Sequence, residues 1–520
     1  MNISVRLRSR RLAFLLVPAF TCLSVSVEGQ ISPPVGREAA MELSFDPLEF
    51  DSPRVQRRTL DSGVTVFLSE DHSLPLVTLY ARFHGGYAVL PRDLYAATSA
   101  LPSLLRNGGT TRLSPDSVDH LLDFYALQMN FGGSGHSTFS SVNTLTKYLT
   151  SAIDLWADMM VDPSFDPGEM EIWRDRQLEG LRRRVDDPGF LAVSEFNRIM
   201  FGDHPIGWEM NPGDLNPERM SVEALFEVHS RIFCRENLVL GVVGDVGMTE
   251  MIPLLEGIAS RLPSCTKPLQ EPKVPEMRRG RKVFLIPRDL TQSTVVLAAP
   301  GGVLQSTHPD YFASRIGNSI LGANGFSSRL LSRVRTEKGL AYSASSVWTT
   351  PSRYEGIVGA MTQTKSASTI AATQLILEIM EEMRENPPEQ EEVDGIIAQM
   401  VNGFVFNFQD PSQIVSRQMF YLDEGLPEDW LEQFVRGIQR VDPDDVQSVF
   451  RRHVHPEEMI ILIVGNPDDF DLSPEVLGDV EIWQVGGSDW STYSHMQGGD
   501  PSAEEFPPRI PEPRRLHQPR

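Results

Sequence analysis

Arg335 and Tyr342 are the side chains of this sequence whose types and spacing best suit work on a polar, charge-developing centre. They lie seven residues apart in the stretch Gly322 to Tyr342, GANGFSSRLLSRVRTEKGLAY. A guanidinium offers five N–H donors in a fixed fork and a phenol offers one O–H, so the two together suit a carbonyl oxygen or an oxyanion. Gly322, Asn324 and Gly325 spell a turn, and Leu330, Leu331 and Val334 recur at helical spacing. That pattern predicts a short amphipathic helix with Arg335 near its end and Gly339 as its stop. A second apolar stretch follows, with Tyr342 near its start. Taken singly, a helix-end Arg and a strand Tyr are ordinary surface residues.

The elements that must hold this pair come in two sets, repeated at a separation of about 217–223 residues. Each set opens with a β-like run, Val64 to Leu68 or Val283 to Ile286. A second strand ending in paired glycines follows, Val77 to Phe83 before Gly85-Gly86 and Val295 to Ala299 before Gly301-Gly302. A helix comes next, from Asp93 or Asp310, and closes in a glycine turn before a Thr/Ser-Arg pair. A long helical pattern ends at Asp187-Pro188 or Asp410-Pro411, and each set finishes on an apolar strand closed by glycine, Leu238 to Gly244 or Met459 to Gly465. Strands and helices mixed with tight glycine turns predict an α+β module built twice.

The string S-R-L-x-x-x-V-R-x-x-x-G-L-A-Y resembles the C-terminal-half signature of the pitrilysin/insulinase family of zinc metallopeptidases, the inverzincins. The resemblance covers roughly residues 55–475. It implies two homologous lobes, each a mainly antiparallel sheet with helices packed on it, arranged as a clamshell. It also implies that Arg335 and Tyr342 hold the substrate backbone and its oxyanion opposite a zinc ion. In active members of that family the first lobe carries H-x-x-E-H, where two imidazoles one helical turn apart bind zinc and the Glu is the general base. Aligned on Gly109-Thr110, this sequence has Ala100 and Leu104 at the two His positions and Ser103 at the Glu position. Neither Ala nor Leu has a lone pair for a metal, and no His occurs between His84 and His120. The distal Glu of the family would fall near Glu179 or Gly180, where a Glu without its imidazoles reads as a surface residue. Pro102 sits within the expected helix, where it should kink it. The resemblance is therefore to the non-metal, Arg/Tyr-bearing subunit type, with no cofactor in this chain and zinc in a partner that retains H-x-x-E-H. A structural assembly subunit and a stand-alone periplasmic peptide-binding protein are the readings from other classes.

Other constellations carry less. His453-x-His455 has no third ligand nearby in sequence, and His136 follows a glycine-rich turn. No P-loop, nucleophile elbow or dinucleotide fingerprint occurs. Composition is that of a globular protein, 41% hydrophobic and 22% charged, and a pI near 4.9 argues against nucleic acid or an anionic membrane as partner.

Arg6, Arg8, Arg10 and Arg11 followed by the apolar run Leu12 to Val27 predict a secretory signal over residues 1–29, hence export to a periplasm. Its removal takes the formal net charge from -23 to -26. Residues 30–54 read as an N-terminal extension, 55–263 as the first lobe, 264–281 as a Pro-rich linker and 282–475 as the second lobe. Residues 476–520 read as a polar, partly disordered tail. No apolar run after the signal is long enough to span a membrane. Cys234 and Cys265 remain in the mature chain, and sequence leaves open whether they pair.

Overall fold

A computed structural model of the chain describes residues 55–184, 186–404 and 410–485. The expected signal, the whole N-terminal extension and most of the tail lie outside the described residues. Strands β1 (Gln56–Thr59), β2 (Thr65–Glu70), β3 (Leu76–His84), β4 (Gln128–Gly133), β5 (Ser137–Leu145) and β6 (Leu238–Gly244) form one sheet in the order β1-β2-β6-β3-β5-β4. Strands β7 (Lys282–Pro287), β8 (Gln292–Pro300), β9 (Ala341–Trp348), β10 (Ile357–Lys365), β11 (Ile460–Gly465) and β12 (Val480–Ile482) form the other, ordered β12-β7-β11-β8-β10-β9.

Set side by side, five strands of each sheet follow one order, with β2, β6, β3, β5 and β4 answered by β7, β11, β8, β10 and β9. Each sheet has one parallel pair in that core, β2 with β6 and β7 with β11, among antiparallel neighbours. The sequence repeat is thus a repeat of topology, and the fold is α+β in two lobes. The outermost strands break the likeness. β1 runs antiparallel to β2, whereas β12 runs parallel to β7.

Burial shows why the strands read as they do. In β3 the side chains alternate, with Val77, Leu79, Ala81 and Phe83 buried under the first lobe's own helices. In β11 every residue is buried, which requires cover on both faces. The second cover comes from the other half of the chain. Helix Pro188–Phe201 lays Leu191, Phe196, Ile199 and Met200 against Phe284, Val296, Leu462 and Val464 of the second sheet. Reciprocally, helix Pro411–Glu424 lays Val415 and Met419 against Phe67 and Val243 of the first. Gly241 in β6 makes that approach possible, because a Cβ there would stand 2.5 Å from Met419 Sδ. Each lobe therefore completes the other, and the clamshell is closed by an exchange of helices.

The connection 264–281 has no regular element, yet it is anchored. Cys265 is disulfide-bonded to Cys234, Leu269 packs on the first core and Met277 on the inter-lobe core. Within the span read as a tail, Val480–Ile482 form β12, and Trp483 donates its indole N–H to Glu195 Oε2 at 2.7 Å.

Candidate functional site

Arg335 lies in a widened, π-type turn, Leu331–Glu337, where Lys338 N donates back five residues to Arg333 O. Such turns mark functional segments more often than ordinary helix does. The expected amphipathic helix is present as this wider coil, with Leu330 and Val334 buried and Gly339 ending it at φ +64°. Three arginines sit along the segment. Arg329 makes a fork to Glu392 at 3.0 and 2.6 Å, and Arg333 pairs with Glu382. The Arg335 guanidinium has neither hydrogen bond nor ion pair among the described residues. It is instead steadied by two rings, with Cζ 5.3 Å from the centroid of Tyr342 and 5.3 Å from that of Phe326. Both lie within cation–π range, an arrangement that positions a guanidinium without consuming its N–H donors.

Tyr342 owes its exposure to a register shift. β9 pairs with β10 so that Ser343 faces Gln363 and Ala341 faces Thr364, which leaves Tyr342 as the extra residue of a bulge. Bulges on edge strands turn a side chain away from the ladder, and Tyr342 is 73% exposed. Thr364 fixes the entry to the bulge by donating its hydroxyl to Leu340 O at 2.6 Å. β9 is an edge strand of the second sheet, so its outer backbone groups face no neighbouring strand in that sheet. Close behind it runs a second π-type turn, Ser319–Ala323. Gly322 is required there, since a Cβ would meet Ser346 N at 2.3 Å and Leu330 Cδ1 at 2.9 Å.

The corresponding place in the first lobe is filled rather than open. Helix Tyr95–Asn107 carries Ala100 and Leu104, 0% and 1% exposed, both in the hydrophobic core, with Ser103 half-buried beside them. Pro102 lies within the helix, and a Cβ on Gly133 of β4 would already stand 3.3 Å from its Cγ. A zinc ion does not fit this donor set: two hydrocarbon side chains and a hydroxyl offer no imidazole or carboxylate. Glu179 is on the surface of helix Pro167–Arg184, bonded to Arg183 at 2.9 Å. Among the described residues the one grouping of three potential ligand residues is Cys234, Glu236 and Cys265, and its two sulfurs are bonded to each other. His453 and His455 part company, the first 2.8 Å from Asp310 Oδ2 and the second 3.1 Å from Arg452 O.

Two features had no clear mark in the sequence. One is Phe326, whose only signal is an aromatic residue directly after the Asn324-Gly325 turn. The other is an inter-lobe charge cluster. Arg82 Nε donates to Asp423 Oδ2 at 2.7 Å, and His84 Nδ1 lies 3.4 Å from Asp423 Oδ1. Arg353 reaches Glu271 at 2.6 Å and Glu424 at 3.2 Å, with His136 3.6 Å from Glu271. Burial pushes the Asp423 carboxyl up, but the His84 hydrogen bond and the Arg82 guanidinium outweigh it and hold the group below its ordinary value. Burial, helped by the Arg353 charge, lowers the pKa of His136. A cavity of about 420 Å³ lined by Arg92, Arg184, Arg198, Trp208 and Glu209 shares no residue with the Arg335/Tyr342 edge. That edge is open, which suits an extended chain better than a compact small molecule.

Residues 219–400, which include the Arg335/Tyr342 segment, match the family described as Peptidase M16 inactive domain. That segment is thus similar to the M16 peptidases in their inactive-domain form. Over a longer span the chain is 22% identical to the non-peptidase homolog YmxG of Helicobacter pylori, covering 78% of this chain and 92% of that one. The M16 fold recurs in the peptidase M16 inactive domain from Pseudomonas fluorescens, with TM-score 0.70 and 22% identity over 79% of this chain and 98% of that one. It recurs again in the periplasmic protease PqqL from Escherichia coli, with TM-score 0.68 and 13% identity, where 82% of this chain covers 49% of the other. Among the described residues no helix is long and apolar enough to cross a membrane.

Proposed function

We propose that this chain is the non-metal-binding subunit of a heterodimeric zinc metallopeptidase, exported to the periplasm and inactive alone. The observation that carries the reading is a contrast within one chain. An unpaired Arg335 stands beside an exposed Tyr342 on an open sheet edge, while the ligand positions hold Ala100 and Leu104 in a packed core. Zinc and the general-base Glu belong to a partner that retains H-x-x-E-H. The half-length match to PqqL supports a two-unit assembly, with two chains here in place of one long one.

In this reading an extended peptide adds to the outer edge of β9 through main-chain hydrogen bonds. Arg335 donates to a substrate carbonyl, which fixes the register of the peptide. The Tyr342 hydroxyl donates to the oxygen that gains charge as the amide is attacked, an interaction stronger in the transition state than in the ground state. With the purified pair assayed on a peptide substrate, Tyr342→Phe is expected to lower kcat by about 10²–10³ with little change in KM. Arg335→Ala is expected to lower kcat/KM by roughly 10–100-fold, the worth of a charge-assisted hydrogen bond. A second reading is a subunit kept for assembly alone, and a relative named a non-peptidase homolog is consistent with it. It predicts that both variants leave kcat and KM at wild-type values, and that result would end the shared-site proposal.

A further inference from the structure

Phe326 and Tyr342, 76% and 73% exposed, are the two most exposed large hydrophobic side chains among the described residues. Scattered apolar side chains on a surface are ordinary. These two are not scattered, since both pack against one guanidinium that has no other partner among the described residues. Nor is Phe326 on a loose loop. Ser328 Oγ donates to Gly325 O at 2.6 Å, Asn324 Nδ2 donates to Ser327 Oγ at 3.0 Å, and Gln399 Nε2 donates to Asn324 Oδ1 at 2.7 Å. Gly325, at φ +59°, supplies the backbone turn that presents the ring. A fixed ring left in water beside a donor fork is a surface shaped for an apolar group that arrives attached to a hydrogen-bond acceptor. A peptide residue with a large apolar side chain is that group, because its carbonyl and side chain lie a few bonds apart.

We infer that Phe326 is a specificity-determining residue, forming with the Tyr342 ring an apolar ledge that takes an aromatic or large aliphatic side chain of the peptide held by Arg335. The inference rests on the proposed peptide-holding role of the β9 edge and names the side-chain class that this edge selects.

The test is direct binding of two fluorescein-labelled extended peptides, alike except for Phe or Ala at one position, to the full mature chain. It is repeated with the chain paired to its zinc-bearing partner made catalytically inert. Wild type is expected to favour the Phe peptide by ~10–100-fold, the range for placing one large apolar side chain on apolar surface. Phe326→Ala should reduce that preference to about twofold, weakening the Phe peptide far more than the Ala peptide, and Phe326→Trp should retain the preference. Because Phe326 is exposed, these variants test binding without disturbing a core. Equal affinity of wild type for both peptides overturns the inference and leaves the peptide-holding role standing. A preference that survives Phe326→Ala also overturns it, as does equal loss of both peptides, which would make Phe326 only a support for Arg335. Failure of both peptides to bind, with the chain alone and with the partner, overturns the inference and the proposed function together.

Discussion

On the coil Leu331–Glu337 and the turn before it, Arg335 stands among described neighbours without a carboxylate partner. Arg329 and Arg333, on the same coil, are held by Glu392 and Glu382, and their donors are spent on structure. Arg335 keeps its fork free because two rings position it instead. At the same scale, Leu104 shows why the first lobe has no route back to a metal by one exchange. Its side chain is enclosed by the core, so Leu104→His would place an imidazole among hydrocarbon neighbours. Unfolding free energy should fall by about 2–5 kcal/mol, the sum of a lost apolar contact and a polar group without a partner. Denaturant titration checks this, and an unchanged midpoint would mean that the site can accept a polar side chain.

At the scale of elements, the working edge depends on two distortions of regular structure, the π-type turns and the β9 bulge. Gly322 lets the Ser319–Ala323 turn lie against β9, with Ser346 N only 2.3 Å from where a Cβ would be. Gly322→Ala should therefore force the turn off the strand, costing about 1–3 kcal/mol. It should also reduce peptide affinity beyond what the lost stability explains, as measured by binding at a temperature where the variant remains folded. Wild-type affinity would show that the edge tolerates a shifted turn.

This scale also shows what sequence could carry. The strands closed by glycine, the doubled order of elements, the nearness of Arg335 to Tyr342 and the hydrocarbon character of positions 100 and 104 were all legible, because each rests on residue type and local spacing. The bulge at Tyr342, the widened coil under Arg335 and the exposure of Phe326 were not. They depend on which register β9 adopts against β10, and on how closely a turn packs on a strand distant in sequence. β12 was missed because three residues, Val480–Ile482, are too short a run to show periodicity.

For the whole molecule, the two lobes form one folding unit through exchanged helices and a shared charge cluster. Asp423, at the end of the helix that crosses to the first sheet, meets Arg82 and His84 there. A carboxyl held below its ordinary 3.8 contributes stability that is fully present above that value. That contribution is lost as pH falls through the lower, folded value. His136 adds in the same direction, since a lowered imidazole pKa makes protonation below its ordinary 6.5 unfavourable to the folded state. Stability should thus decline first as pH drops below about 6.5 and again below about 4. Asp423→Asn should flatten the second decline while lowering stability near neutrality, as read from thermal midpoints across pH. An unchanged acid limb would place the carboxylate's partners elsewhere.

Each lobe packs a helix of the other on its sheet, and the proposed metal half of the site is assigned to a second polypeptide. The most direct measurement of that proposed division of labour is zinc content and peptide hydrolysis of the purified chain, alone and mixed with the zinc-bearing partner proposed for it. The predicted result is substoichiometric zinc and no hydrolysis alone, with activity on mixing whose kcat Tyr342→Phe lowers by about 10²–10³. Stoichiometric zinc in the chain by itself, with hydrolysis at the rate of the mixture, would contradict the account.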